Sequence, residues 1–211
     1  ALALTFDDGP HPAHTREVLR LLAERGHRAT FFVVGGRVLE HPQVVREIVA
    51  QGHELGLHSH THDYGLVFWS PERIARDLEQ NISAIEEVTG QRPSIFRPPV
   101  GITSPRLALA VRALGLRVIG WSGRAYDGIG DPPPERILAR LRDRLRAGAI
   151  ILLHDRRERG EERPTSIDAL PALLDEIERR GLRSVPVSEL CPHAPASVPD
   201  AGAAFAGSPM P

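Results

Sequence analysis

Short apolar runs alternate with longer stretches of helical period along nearly the whole chain, and that alternation leaves few folds open. Leu2 to Phe6 precedes a helical pattern over Thr15 to Glu24, Thr30 to Val34 precedes Gln43 to Ala50, and Leu55 to Leu57 precedes Pro71 to Val88. The series continues with Ile95 to Arg97 before Pro105 to Leu114, Arg117 to Trp121 before Pro134 to Leu145, and Ala149 to His154 before Ser166 to Arg179. A last run covers Arg183 to Val187. Gly26, Gly52, Gly90, Gly115, Gly148 and Gly181 fall where the helices must stop. Strands separated by helices pair in parallel, so the pattern predicts an α/β protein of about seven strands.

Periodicity alone does not separate a doubly wound sheet from a barrel. The placement of the unusual polar residues does: Asp7, Asp8, His58, His62, Arg97, Asp127 and His154 all fall at or just beyond the C-terminal ends of different runs. In a barrel those ends converge on one mouth, where such folds build active sites. The expected fold is a distorted or incomplete (β/α) barrel, TIM-barrel-like, forming one catalytic domain over residues 1–191. The stretch 192–211, rich in Pro, Ala, Gly and Ser, has no amphipathic period and reads as a disordered tail.

Composition closes off several functions. A formal net charge of -1 offers no global field for nucleic acid, and no apolar run is long enough to span a bilayer. Every basic residue is arginine, so lysine nucleophiles and Schiff bases are excluded. Cys191 is the single cysteine, which rules out an internal disulfide or a cysteine-based zinc cluster and reads as an incidental thiol. No signal peptide is visible, and localisation stays open between cell envelope and cytoplasm, as does oligomeric state.

The first apolar run ends in Thr5-Phe6-Asp7-Asp8-Gly9-Pro10, and two adjacent carboxylates repel each other in any interior unless something neutralises them. His58 and His62 supply one means, since imidazoles four residues apart can converge as paired metal ligands. Either Asp7 or Asp8 can be the third ligand, which leaves the other as a base. Arg97, entering a rigid Pro-Pro turn, is a fixed cation suited to hold and orient such a base. His154 ends a strongly apolar run where an imidazole can act as general acid, and Asp127 can orient it or raise its pKa. Metal, base, acid and orienting charges are the components of metal-assisted hydrolysis.

In order and spacing, "TFDDGP", "HSHTH", "RPPVG" and "LLH" resemble the motifs of the polysaccharide deacetylases with the NodB-homology domain, carbohydrate esterase family four. The resemblance runs from about Leu2 to about Leu190. It implies a metal-dependent removal of N-acetyl groups from a glycan or glycolipid, with zinc as the metal ahead of cobalt, nickel or manganese. It also implies Asp7 as base and Asp8, His58 and His62 as ligands, with Arg97 tethering the base and His154 as acid. Val100 would give its backbone N–H to the oxyanion, and Leu152 would line the pocket for the acetyl methyl group. Two departures stand out: Val100 replaces the usual tyrosine, and of the W-x-x-D-x-x-D-W motif only Trp121 and Asp127 remain, with Arg124 and Gly128 altering the groove wall.

Other residues carry less. Trp121 reads equally as core or groove. His60 is expected to point away from the site, and His11, His14 and His53 to be loop or helix-end residues. Asp155 either supports the site or ends its strand in solvent. Arg156 to Arg163 reads as a solvated loop. Beside the deacetylase stand a related amidase or deformylase and a catalytically silent carbohydrate-binding protein; the intact polar set argues against the latter.

Overall fold

In the computed structural model, which describes residues 1–128, 132–157 and 162–192, the first apolar run forms a fully buried strand, β1 (Ala3–Asp7). Six more follow: β2 (Thr30–Val33), β3 (Glu54–Leu57), β4 (Ile95–Phe96), β5 (Arg117–Val118), β6 (Gly123–Arg124) and β7 (Ile150–His154). They form one seven-stranded sheet in the order β5-β4-β3-β2-β1-β7-β6, with every neighbouring pair parallel. The terminal strands β5 and β6 are not paired with each other, so the barrel is incomplete. Among the described residues the α-helices are α1 (His14–Glu24), α2 (Gly35–Glu40), α3 (Pro42–Ala50), α4 (Pro71–Thr89), α5 (Pro105–Ala113), α6 (Pro134–Leu141), α7 (Thr165–Arg179) and α8 (Val187–Leu190).

The longest helix shows how local sequence makes an element. Pro71 opens α4 where a missing N–H costs nothing, the Ser70 hydroxyl accepts from the Arg73 N–H at 3.3 Å, and Gly90 ends the helix in a left-handed conformation. Ile74, Leu78, Ile82 and Ile85 form its buried stripe. Beneath the sheet Phe6 stacks on Phe31 with ring centroids 5.2 Å apart, each ring fully buried and worth about 1.5–3 kcal/mol of burial.

Three elements differ from the expectation. The run Arg183 to Val187 is no strand: it meets β1 at one bridge, Leu2 to Ser184, and then Pro186, which has no N–H to extend a ladder, starts α8. Ser184 instead ties the starts of β1 and β2 together, accepting from the Leu4 N–H at 3.0 Å and donating to the Arg28 carbonyl at 2.7 Å. Strand β6, two residues of no apolar period, exists because it pairs with β7. Helix α2 begins on two glycines, an unfavourable start of which Gly35 is required by close packing: a Cβ there would lie 2.4 Å from His60 Nδ1. The stretch 193–211, read as a tail, and 158–161 of the arginine-rich loop lie outside the described residues.

His53 follows the end of α3, as expected, but it is not exposed there. It is buried edge-on against Phe31, its Nδ1 accepts the Ala29 N–H at 3.1 Å, and burial together with the Arg28 charge pushes it down to about 4. The unfolded chain therefore binds this proton more readily than the folded one between about pH 6.5 and 4, so stability falls as pH drops through that window. Denaturation midpoints should fall more steeply from pH 7 to 4.5 in the native chain than in His53→Asn; parallel curves would show that His53 does not titrate this way.

Candidate active site

The C-terminal ends of β1, β3 and β7 deliver Asp7 and Asp8, His58, and His154 to a cavity of about 440 Å³, and the end of β4 places Arg97 behind Asp7. Asp8 Oδ1 lies 3.2 Å from His58 Nε2 and 2.9 Å from His62 Nε2, and the three residues place one donor atom each within 4.8 Å of one another. The His58 Nδ1 lies 2.8 Å from the Arg97 carbonyl, which orients the ring with Nε2 toward Asp8. Burial alone would raise the Asp8 carboxyl, but hydrogen bonds from His58 and His62, with the His154 charge, hold it well below its ordinary value. Two imidazoles and a carboxylate, open toward a cavity, fit a divalent ion that keeps a position free for a reactant.

Asp7 sits beside this cluster with a different partner. Its Oδ1 accepts from Arg97 Nη1 at 2.7 Å, while Oδ2 stands 3.9 Å from His58 Nε2. Arg97 is fully buried and spends its remaining donors on the Thr5 hydroxyl at 2.7 Å, the Ile119 carbonyl at 3.1 Å and the Gly120 carbonyl at 3.1 Å. Its guanidinium also covers the Phe32 ring at 4.1 Å. One cation thus joins β1 to the segments that follow β4 and β5.

His154 is held by Asp127, whose two oxygens take the His154 ring Nδ1–H at 2.9 Å and its backbone N–H at 2.8 Å. Burial disfavours the imidazolium, yet the charge and hydrogen bond of Asp127, reinforced by Asp8 and Asp7, outweigh it and push His154 up to about 10. Leu152, Trp121 and Val100 line the same cavity. The Trp121 ring packs so closely on Gly101 that a Cβ there would lie 2.1 Å from it, which makes Trp121 a groove wall.

Backbone strain concentrates here. Asp8, Ser59, His62, Val100 and Tyr126 are the non-glycine residues with positive φ among those described, and all belong to the turns and rim of the cavity. For β-branched Val100, at φ 61°, this is a rare conformation, of the kind kept where function over-determines the geometry.

Several supporting residues were not singled out from the sequence. Asp77 of α4 accepts from the N–H groups of His60 and Thr61 at 2.8 and 3.1 Å and from the Thr61 hydroxyl at 2.8 Å. Asn81 donates to the carbonyls of Val33 and Ser59 at 3.0 and 2.7 Å. The available signal was their position: both fall on the buried stripe of an amphipathic helix, where an unpartnered polar residue is costly. Tyr64, Gly101 and Ile102 also line the cavity, and nothing in their local pattern marked them. Asp155 is buried rather than solvated; burial pushes it up to about 7, and it accepts from the Thr15 hydroxyl at 2.5 Å. His60 packs against Gly35, away from the cavity, and His11 stacks on His14 with centroids 3.8 Å apart.

Because Asp77 holds the loop that carries both histidines, Asp77→Ala should weaken metal affinity about 10- to 100-fold in a metal titration. Unchanged affinity would show that the loop is fixed without it.

Residues 1–119 match the polysaccharide deacetylase family. A peptidoglycan-N-acetylglucosamine deacetylase of Bacillus cereus is 34% identical over 190 residues, covering 90% of this chain and 87% of that protein. A chitooligosaccharide deacetylase of a Bradyrhizobium species is 38% identical over 197 residues, covering 89% of each. A family 4 acetyl xylan esterase from Clostridium thermocellum, solved with a cobalt ion, superposes with a TM-score of 0.79 at 33% identity over 90% of this chain and 89% of that one.

Proposed function

The chain belongs to the polysaccharide deacetylase family, and from that premise we propose that it is a metal-dependent hydrolase that removes N-acetyl groups from an amino-sugar glycan. The substrate is a peptidoglycan or chitin-type chain, or a glycolipid with the same sugar; the products are acetate and a free amine. The observation that carries this reading is the meeting, in one cavity, of the Asp8–His58–His62 donor set with the Asp7–Arg97 and His154–Asp127 pairs.

Asp8, His58 and His62 would hold the ion, which we assign as zinc. When bound, it supplies a Lewis acid that polarises the amide carbonyl and lowers the pKa of water toward about 7. The protein groups do the rest. Asp7, with Oδ1 fixed by Arg97, takes the proton from the attacking water. The Val100 N–H, presented by its strained turn, donates to the oxygen where negative charge develops. His154, whose Nδ1–H is committed to Asp127, gives its other proton to the departing amine as the C–N bond breaks. Leu152 supplies an apolar surface for the acetyl methyl group, and Trp121 a flat wall for the sugar.

The test is to incubate the metal-loaded protein with N-acetylglucosamine oligomers and with peptidoglycan fragments, and to quantify acetate and free amine together. One acetate for each amine is expected. Absence of both products from every N-acetylated glycan would overturn the reading.

A further inference from the structure

A second cavity of about 380 Å³ adjoins the catalytic one. The two share Trp121, Arg124 and Tyr126, and Arg140 and Arg144 add two more guanidiniums to the second. Arg124 lies 3.9 Å over the Tyr126 ring and 5.9 Å from that of Trp121. Arg140 stands 5.2 Å from the same Tyr126 ring and donates to the Ala125 carbonyl at 3.1 Å. Arg144 is brought in through its stem, which packs on Gly123 so tightly that a Cβ there would lie 2.9 Å from Arg144 Cβ.

Among the described residues no carboxylate pairs with Arg124, Arg140 or Arg144, and no acidic side chain lines the cavity. Elsewhere in the chain Arg16, Arg25 and Arg179 each face an acidic partner. Three arginines lining one hollow attract anions, and their planar forks match the oxygens of a carboxylate or a phosphate. Tyr126, held between two of them, sits at φ 64°, a costly conformation for an aromatic residue.

We propose that this second cavity binds an oxyanion carried by the glycan itself, a sugar carboxylate or a phosphate ester, and so selects acidic N-acetylated glycans over neutral ones. The proposal rests on the deacetylase reading of the neighbouring cavity. A sugar presenting its acetyl group to Leu152 and His154 lies against the shared wall of Trp121 and Tyr126, and substituents crossing that wall enter the field of Arg124 first.

The test compares kcat/KM for acetate release from four substrates: an N-acetylglucosamine disaccharide, its 1-phosphate, a muramic-acid-containing oligosaccharide with free lactyl carboxylates, and the same compound with those carboxylates amidated. The carboxylate form should exceed its amide, or the phosphate its neutral parent, by about tenfold. Which one gains more identifies the source of the oxyanion. The preference should fall toward unity in Arg124→Gln and in Arg144→Gln, shrink with added salt, and be largely kept by Arg124→Lys. An acid-to-neutral ratio near one in the native chain, or a preference that survives all the arginine substitutions, overturns the proposal. Equilibrium binding of the acidic oligosaccharide, read without turnover, separates the two readings. If no glycan is deacetylated, the function fails; the second cavity stands only if binding is lost in Arg124→Gln and falls if both proteins bind equally.

Discussion

Asp7→Asn is expected to lower acetate release by about 10³-fold while leaving bound metal at the level of the native chain. The amide keeps the shape of the carboxylate, and its oxygen still accepts the Arg97 Nη1 contact now made at 2.7 Å, so the fold around the site has no reason to move. What it loses is the capacity to take a proton. Asp8→Asn should lose bound metal and turnover together, because Asp8 Oδ1 is the atom that approaches both His58 Nε2 and His62 Nε2. Turnover and metal content measured on the same samples distinguish the adjacent carboxylates. Near-full activity in Asp7→Asn would place the base elsewhere, and loss of metal in that variant would make Asp7 a ligand.

The largest stability effect is expected from Arg97→Leu. The guanidinium is completely buried and satisfies Asp7, Thr5 and two backbone carbonyls, while Phe32 covers its face. Removing it strands the Asp7 carboxylate in the interior, a loss of about 3–5 kcal/mol. In a domain of this size that is a fall of about 10 °C in Tm. Lysine should not rescue it, since one ammonium cannot meet four acceptors arranged around a planar fork. The comparison is Arg16→Leu, which breaks an exposed pair with Glu47 and should change stability by less than about 1 kcal/mol. Equal effects of the two substitutions in thermal unfolding would refute a structural role for Arg97.

Much of this arrangement was legible in the sequence because it depends on local pattern. Strand β1, the stripe of α4 and the glycines at helix ends follow from period and turn chemistry. The polar residues at strand ends followed from barrel topology, and family resemblance supplied the division of roles between Asp7 and Asp8. What stayed hidden depends on pairing at a distance. Strand β6 is two residues whose only reason to be extended is β7. The run Arg183 to Val187 has a strand's composition, yet it is used as a clasp between β1 and β2. Asp77 and Asn81 fall on the buried stripe of α4, but only the fold shows that the histidine loop is what they hold. Arg140 and Arg144 belong to α6 and the turn after it, and only the fold sets them beside Arg124.

The most direct measurement is acetate release from an N-acetylglucosamine oligomer by the chain stripped with a chelator, and again after one equivalent of zinc, cobalt, nickel or manganese is restored. The account predicts no release from the stripped protein, recovery at one metal per chain, and the greatest recovery with zinc. Undiminished release from metal-free protein would contradict it, because Asp8, His58 and His62 would then hold nothing that the reaction needs.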